Sequence, residues 1–318
     1  MKKSFKYILV TIITVIILTI ASVYASSTIN GSQVTYDNTS SKLSSTNVQG
    51  AIDEIYSSVN SKTTCPDGYL CKEKKSTPEV GDYVKMIPTL TSYTTDTSKT
   101  GYTSSQTINP SELNLWRVLK VNSDGTIEMI SEYTSSTSVY FGGKVGYQNF
   151  VGYLNELASK YENSKYTNGS RYVGYSGQTE YITDTSKIDS TTAPWTSSTG
   201  SSTTESLGGG DTLYQNDYDL IQAVLGTRVA NKVGTTSATY YWLASRYYYC
   251  NSSTYWDFGG RSVNTYGSLN SYSNLYRYDS GSFRTYSYSY ALRPIVILKS
   301  GITYTPALGT SDDPFVLN

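Results

Sequence analysis

Three kinds of apolar pattern occur along this chain: two predict helices and the third predicts strands. The first is a 4, 3, 4 spacing, the rhythm of a coiled coil, and its members are Val48, Ile52, Ile55 and Val59. It predicts a helix over residues 47–60 that either Thr46 or Asn47 can cap. The same spacing also suits a helix that packs on its own domain, so both interpretations stay open.

Longer amphipathic stripes predict two more helices, and β-rich runs predict strands around them. The stripe of the first helix consists of Phe150, Tyr153, Leu154, Leu157 and Tyr161. The stripe of the second, which Asn216 or Asp217 can cap, consists of Leu220, Ile221, Val224 and Leu225. Runs at 113–121 and 126–130 flank an Asp-Gly pair and predict a hairpin, and 294–298 is apolar enough for a buried strand. Strands, two helices and a long irregular region together predict an α+β fold.

The N-terminus predicts export. Lys2, Lys3 and Lys6 precede an apolar run over 7–24, and small residues follow it. This order is typical of a signal peptide, and the run is also long enough for a membrane anchor, so residues 1–25 are predicted to be one or the other. Residues 26–62 are predicted to be an extended segment and a short helical stalk, 63–80 a linker, and 81–318 a ligand-binding domain outside the cytoplasm.

Cysteine usage agrees with export, and composition excludes several kinds of chemistry. Cys65 and Cys71 bracket a turn-rich loop and are predicted to form a disulfide, whereas Cys250 is a buried hydrophobe, a free thiol or an intermolecular bridge. The chain has no His, which removes Ser-His and Cys-His nucleophile pairs and His-ligated zinc. Its 25 basic and 25 acidic residues balance, which argues against nucleic-acid binding. We therefore expect no cofactor, no metal and no enzymatic activity.

The region from Tyr240 to Tyr290 has an unusual composition. It holds 13 of the 33 tyrosines, and the rest is mainly Ser, Asn, Gly, Thr and Arg. Antibody combining loops use the same chemistry, because Tyr offers a large amphipathic face at low entropic cost and the small polar residues add adaptable hydrogen bonds. Selection for an ordinary polar, β-rich surface would produce a similar composition, so the composition is compatible with both origins.

The same region contains no Lys, Glu, Gln or Met. None of these four residues has a codon ending in C or T. Bacterial diversity-generating retroelements randomise adenines, chiefly in AAC-like codons, and yield Tyr, Asn, Ser, Asp, Gly, Thr and Phe but none of the four. The segment resembles the product of that process, which implies a variable protein. Trp242 and Trp256 cannot arise from such codons, so the resemblance implies that they are fixed framework positions.

Three framework motifs occur in order: WRVL at 116–119, YWLASR at 241–246 and ALRP at 291–294. Together they resemble bacterial surface domains of the C-type-lectin-like fold, which retroelement variable proteins and formylglycine-generating-type domains share. The resemblance covers residues 81–298 and implies a small antiparallel sheet, two helices and long irregular loops, with Trp116, Trp242 and Arg293 as structural residues. The calcium motifs of true C-type lectins are missing, and Cys250 stands alone where formylglycine-generating enzymes need two cysteines.

A second resemblance concerns the stalk. Residues 34–56 resemble a neck segment of phage tail fibres and related bacterial surface proteins, where it is often trimeric. This implies a homotrimer through 47–60, in which weak single-site affinities would combine.

The sequence thus predicts a surface-displayed receptor or adhesin, with a prophage tail-type receptor-binding protein or a formylglycine-generating-type enzyme as alternatives. Its partner is expected to be a protein or glycan on another cell or phage, and its contact with membrane to be limited to the N-terminal segment. The predicted ligand-binding residues all lie in the tyrosine-rich region: Tyr247, Tyr248, Tyr249, Asn251, Tyr255, Asp257, Tyr266, Asn270, Tyr272, Tyr276, Tyr278, Asp279, Tyr286 and Tyr288.

Overall fold

The computed structural model describes residues 34–37, 39, 43–60, 73–174, 185–186, 188–194 and 211–318, without the side chains of 56–60, 211–216, 251 and 271–272. The predicted signal or anchor segment at 1–25 and the predicted disulfide between Cys65 and Cys71 lie outside the described residues. The chain divides into two compact units, Met1–Glu73 and Lys74–Asn318.

The helix predicted over residues 47–60 is confirmed as α1 (Val48–Asn60) in the N-terminal unit. Asn47 is its cap, since its Oδ1 accepts the backbone N–H of Gly50 at 2.8 Å. The carboxylate of Glu54 accepts the backbone N–H groups of Ser44 and Ser45 at 2.9 and 3.0 Å, which ties the preceding segment to the helix.

The C-terminal unit consists mainly of strands. Its helices are α2 (Thr97–Thr100), α3 (Gly143–Ser159) and α4 (Asp211–Leu225), with a 3-10 turn at Pro110–Glu112. Its strands are β1 (Tyr83–Lys85), β2 (Tyr93–Thr94), β3 (Thr107–Ile108), β4 (Leu115–Val121), β5 (Ile127–Ser131), β6 (Ser138–Gly142), β7 (Thr167–Tyr172), β8 (Tyr241–Ser252), β9 (Tyr255–Val263), β10 (Leu269–Asp279), β11 (Ser282–Thr285), β12 (Ser287–Ala291), β13 (Pro294–Leu298), β14 (Tyr304–Thr305) and β15 (Phe315–Leu317).

The first sheet has seven strands in the order β14-β15-β1-β4-β5-β13-β7. The predicted hairpin is its centre: β4 and β5 pair antiparallel across the turn that contains Gly125, whose φ of 81° suits glycine. The predicted buried strand β13 lies next to β5, as expected for a continuous apolar run. Trp116 of β4 is fully buried, and its indole N–H donates to the carbonyl of Met86 at 2.8 Å.

The second sheet has six strands in the order β11-β10-β9-β8-β12-β6, all antiparallel except for the pairing of β8 with β12. It contains almost the whole tyrosine-rich region. Strands β8, β9 and β10 are long, and tight turns connect them, so that consecutive strands pair with one another. A separate two-stranded ribbon consists of β2 and β3.

Helix α3 joins the two sheets into one core, since it contacts β7 and β13 of the first and β6, β8, β9 and β10 of the second. Phe150 of α3 meets Trp242 of β8 edge to face, with ring centroids 5.1 Å apart. The helix approaches β9 closely at Gly260, where a Cβ atom would collide with the ring of Phe150. The absence of a side chain at this position therefore lets the helix pack against the sheet.

The expected fold of a small antiparallel sheet with two helices and long irregular loops, as a C-type-lectin-like domain has, is wrong. The described chain forms a seven-stranded mixed sheet and a six-stranded sheet, with few helices. The error arose because segments rich in Tyr, Ser and Thr were interpreted as irregular. Tyr and Thr favour strands when their alternate side chains can pack on a pleated surface. Within the described residues, no helix is both long and apolar enough to cross a lipid bilayer.

The predicted cap of the second downstream helix is also wrong. Helix α4 begins at Asp211, so Asn216 and Asp217 lie within it. Asp217 instead pairs with Arg171 of β7, at 2.5 Å to Nη1 and 3.0 Å to Nη2. This ion pair is a tertiary contact, and local spacing carries no signal for it.

Candidate ligand-binding face

Strand alternation divides the tyrosine-rich region between two surfaces. Neighbouring side chains on a strand point to opposite faces of the sheet. The three consecutive tyrosines of β8 therefore cannot share one surface: Tyr248 faces the core, while Tyr247 and Tyr249 face the other way. A stretch that looks uniform in sequence thus serves two different purposes.

The core-facing set forms two aromatic rows across the second sheet. In one row, Phe258 of β9 pairs in register with Tyr248 of β8 and Tyr276 of β10. In the next, Trp256 of β9 pairs with Tyr278 of β10, and their rings stack with centroids 4.1 Å apart. Phe258 also contacts Tyr147 of α3, with ring centroids 5.1 Å apart. The first row thus packs the sheet onto the helix through Phe258.

The opposite face presents a polar row in the same register. Asp257 of β9 pairs with Tyr249 of β8 on one side and with Arg277 of β10 on the other, and Arg277 pairs with Arg284 of β11. Asp279, two residues beyond Arg277, lies opposite Tyr255. Directly opposite residues on antiparallel strands lie within side-chain contact, so these groups form one continuous surface.

Asp257 is the buried centre of this surface, with 3% of the residue exposed. Its carboxylate accepts hydrogen bonds from Arg277 Nε at 2.5 Å, from Asn274 Nδ2 at 3.1 Å and from the hydroxyl of Tyr255 at 3.3 Å. Burial raises the pKa of Asp257, and the Arg277 hydrogen bonds oppose that rise. A buried carboxylate with three donors holds each donor in a defined position.

Arg277 is restrained by a carboxylate and by two aromatic rings. The hydrogen bond to Asp257 raises the pKa of the Arg277 guanidinium. The same guanidinium lies over the rings of Tyr255 and Tyr286, 4.8 and 5.3 Å from their centroids. Burial, together with the charge of Asp257, raises the pKa of Tyr255 to about 12. The arginine thus contacts two half-buried aromatic rings, and 22% of its side chain is exposed.

Tyr247 lies beneath this surface. Its ring covers Gly259, where a Cβ atom would overlap it, and its hydroxyl donates to Asn274 Oδ1. Burial raises the pKa of the Tyr247 hydroxyl well above its usual range. The residue is nearly inaccessible, so it supports the face from below and is not a contact residue.

We call the accessible set the tyrosine–arginine face and define it as Tyr249, Tyr255, Arg277, Arg284 and Tyr286. Tyr249 meets Tyr255 edge to face at 6.4 Å between centroids. Arg284 pairs with Asp279 at 3.4 Å. The two arginines are therefore matched by two aspartates, one buried and one at the surface, and the charges of the face cancel.

Several predicted ligand-binding residues belong elsewhere. Tyr248 and Tyr278 are buried in the core rows, so their inclusion as contact residues is corrected, and Tyr276 stacks on Phe283 at 5.0 Å between centroids. Tyr266 is 86% exposed on the turn between β9 and β10, beyond Val263. That end of β9 is about 20 Å from Asp257 at roughly 3.3 Å per residue.

Four more of the predicted ligand-binding residues lie outside the tyrosine–arginine face as it is defined here. Tyr288 of β12 is half-buried, 6.4 Å from the ring of Tyr290. Asn270 lies near the start of β10 and is partly buried. Asn251 and Tyr272 lie within β8 and β10, but their side chains are outside what the structure describes.

Sequence reasoning missed three residues of the site: Arg277, Arg284 and Asn274. The signal that was available is the strand period, because Arg277 lies two residues before Asp279, which the prediction included. The pairing of Arg277 with Asp257, twenty positions apart, depends on the register between β9 and β10.

The residues predicted to be structural are all buried. The indole N–H of Trp242 donates to the carbonyl of Val139 at 2.8 Å, and Trp116 is bonded similarly in the first sheet. Arg293 lies in the core just before β13. Within the described part of the chain, no three His, Cys, Asp or Glu residues are grouped so as to hold a metal ion.

Comparison of the chain with known protein families, curated proteins and solved structures found no match. The chemistry of the site itself is therefore the basis for assigning a function.

Proposed function

We propose that this chain is an exported, surface-displayed binding protein that recognises a protein or glycan through the tyrosine–arginine face. The observation that carries the proposal is the arrangement around Arg277: its guanidinium lies against two half-buried tyrosine rings and donates a hydrogen bond to a buried aspartate. Tyrosine and arginine are, with tryptophan, the residues that are enriched in binding hot spots.

Preorganisation supports binding at this face. A flexible arginine normally loses rotamer entropy when a ligand orders it, and that loss weakens binding. Here the hydrogen bond to Asp257 and the flanking rings of Tyr255 and Tyr286 already restrict the side chain. Aromatic rings that are half-buried offer apolar area and a hydroxyl at low entropic cost.

The cancelling charges of the face indicate the kind of contact to expect. With Arg277 and Arg284 matched by Asp257 and Asp279, no excess charge attracts an oppositely charged partner. We expect stacking and hydrogen bonding to dominate. Ligand binding should therefore depend only weakly on salt concentration, since screening acts mainly on exposed net charge.

The first test is a binding screen with the full chain against a glycan array and a displayed protein library. Wild type is compared with a Tyr249→Ser, Tyr255→Ser, Tyr286→Ser triple variant and with Tyr266→Ser, which removes an exposed tyrosine away from the face. We expect the triple variant to lose the ligands that wild type and Tyr266→Ser retain. Retention of every ligand by the triple variant, with its fold intact, would refute the assignment.

We also propose that this face is the diversified surface of a retroelement variable protein. The codon bias covers the whole tyrosine-rich region, but only one surface of the sheet can vary freely without disturbing the core. Sequencing the locus from several isolates should show substitutions at Tyr249, Tyr255 and Tyr286 and constancy at Tyr248 and Tyr278. Equal variation at both sets, or none at either, would contradict this proposal.

We propose that helix α1 assembles the chain into a homotrimer. Ile52 and Ile55, which belong to the coiled-coil spacing, are 54% and 49% exposed within the N-terminal unit. Analytical ultracentrifugation of the full chain tests this: wild type should sediment as a trimer and the Ile52→Ser, Ile55→Ser variant as a smaller species. A monomeric wild type would refute the trimer and leave the proposed binding face unaffected.

A further inference from the structure

A cavity of about 200 Å³ lies in the C-terminal unit, at the first sheet and the segment that follows α4. Its wall includes Arg117 of β4, Glu132 just after β5, Arg293 just before β13, and Thr227 and Asn231 after α4. None of these residues belongs to the tyrosine–arginine face.

Arg293 is the unusual member of this wall, because no residue that the structure describes forms an ion pair with it. The residue is 1% exposed, and in the described part of the chain no carboxylate lies within 4.0 Å of its guanidinium. Its Nε donates to the carbonyl of Ser131 at 3.1 Å, and its Nη1 donates to the carbonyl of Arg228 at 3.3 Å and to the hydroxyl of Tyr241 at 3.4 Å. Its Nη2 has no acceptor among the described residues. The guanidinium also lies 5.3 Å from the centroid of the Tyr241 ring, but a buried cation with neutral acceptors and one aromatic ring around it lacks the opposite charge that such groups usually have.

Among the described residues of the wall, the one acidic residue is already engaged. Glu132 lies 3.8 Å from Arg117 Nη1 and accepts the hydroxyl of Tyr83 at 3.4 Å. Arg117 also donates from Nε to the carbonyl of Gly81 at 2.8 Å. Among the described residues, the charged groups that line the cavity are thus two guanidinium groups and one carboxylate, which leaves one positive charge without a negative counterpart.

We propose that this cavity binds a small organic carboxylate, one oxygen of which accepts a hydrogen bond from Arg293 Nη2. A carboxylate supplies the negative charge that the described wall lacks, and one of its oxygens can accept a charge-assisted hydrogen bond from Arg293 Nη2. The volume is below the roughly 300–1,000 Å³ of pockets for drug-sized ligands, so the ligand is a molecule of a few heavy atoms. Asn231 also lines the cavity and can offer polar groups to a second polar group of the ligand.

Acetate is the probe for this site. Thermal unfolding of the full chain is followed across an acetate titration and a chloride titration at matched ionic strength, and saturation-transfer NMR detects the acetate methyl group in contact with protein. We expect a saturable rise of the unfolding midpoint with acetate only, since a ligand that binds the folded state stabilises it by mass action. A rise that is identical for chloride, or that never saturates, would overturn the proposal.

Two matched variants locate the effect. Thr227→Trp places a bulky ring at an exposed position of the cavity wall, and Thr192→Trp places the same ring at an exposed position outside it. Both replace surface threonines, so both are expected to fold. The acetate response should disappear in Thr227→Trp and persist in Thr192→Trp. Equal responses would show that acetate binds elsewhere, which refutes this site and leaves the ligand-binding face untouched.

Discussion

The buried pair of Asp257 and Arg277 leads to an asymmetric prediction about stability. Arg277→Gln removes the stronger donor and leaves a carboxylate that is almost fully buried, whereas Asp257→Asn leaves a guanidinium with 22% of its side chain exposed to water. Breaking a buried ion pair from one side costs roughly 3–5 kcal/mol. Because Asn274 and Tyr255 still donate to Asp257, we expect Arg277→Gln to lower the free energy of unfolding by about 3 kcal/mol, near the lower end of that range.

Asp257→Asn should cost less. It keeps the shape of the side chain and one acceptor oxygen for Arg277, so it loses the charge-assisted part of that bond, about 1.5 kcal/mol, together with the second oxygen that accepts from Asn274. Urea unfolding of both single variants and of the double variant at neutral pH measures these values and the coupling between the two residues. The double variant should be less destabilised than the sum of the singles, because no unpaired buried charge remains.

The pH dependence provides the decisive check. Burial already raises the pKa of Asp257 above its ordinary value of 3.8, and loss of Arg277 removes the main opposing interaction. Between 3.8 and the raised value, the folded variant binds more protons than the unfolded chain, so its stability increases as the pH falls through that range. The difference between wild type and Arg277→Gln should therefore shrink in acid. Two results together would refute the view that Arg277 compensates a buried charge. The two single variants would lose the same free energy of unfolding, and the stability difference between wild type and Arg277→Gln would not change with pH.

Three further predictions follow from packing and burial. Gly259→Ala should destabilise the protein by about 1–3 kcal/mol because its Cβ would overlap the ring of Tyr247, whereas Gly169→Ala, whose nearest contact is 3.8 Å away, should be nearly neutral in urea unfolding. Tyr278→Ser should cost about 3 kcal/mol or more through loss of its stack on Trp256, and Tyr266→Ser should stay within about 0.5 kcal/mol, as calorimetry would show. The pKa of Tyr255 is about 12 in the folded protein against an ordinary value of 10.0, so between these values the folded protein retains a proton that the unfolded chain loses. Stability should therefore fall as the pH rises from 10 to 12. Phenolate absorbance should report the delayed ionisation.

The placement of the tyrosines changes how the binding face has to be tested. Replacing all the predicted ligand-binding tyrosines by Ser would remove Tyr248 and Tyr278 from the core together with Tyr249 and Tyr255 from the surface. Unfolding would then hide any effect on binding. Variants restricted to one surface of the sheet separate the two contributions.

Local patterns in the sequence were sufficient for several elements. The 4, 3, 4 spacing before residue 60 predicted α1, the Asp-Gly pair predicted the hairpin of β4 and β5, and the apolar run predicted β13. Each of these elements depends on contacts between near neighbours or on burial along its whole length, so a pattern in consecutive residues is sufficient to predict it. The start of α4 was missed, because its predicted cap, Asp217, bonds to Arg171 on a distant strand.

The sequence by itself thus determined the kinds of residues available for recognition and the positions of the most regular elements. Only the tertiary structure decided that the tyrosine-rich region forms a sheet, which tyrosines are core and which are surface, and that Asp257 meets Arg277. The physical reason is register: a shift of one residue between two strands turns every side chain to the opposite face. Register is selected by burial of the aromatic rows against α3 as a whole, so no local stretch of the chain encodes it.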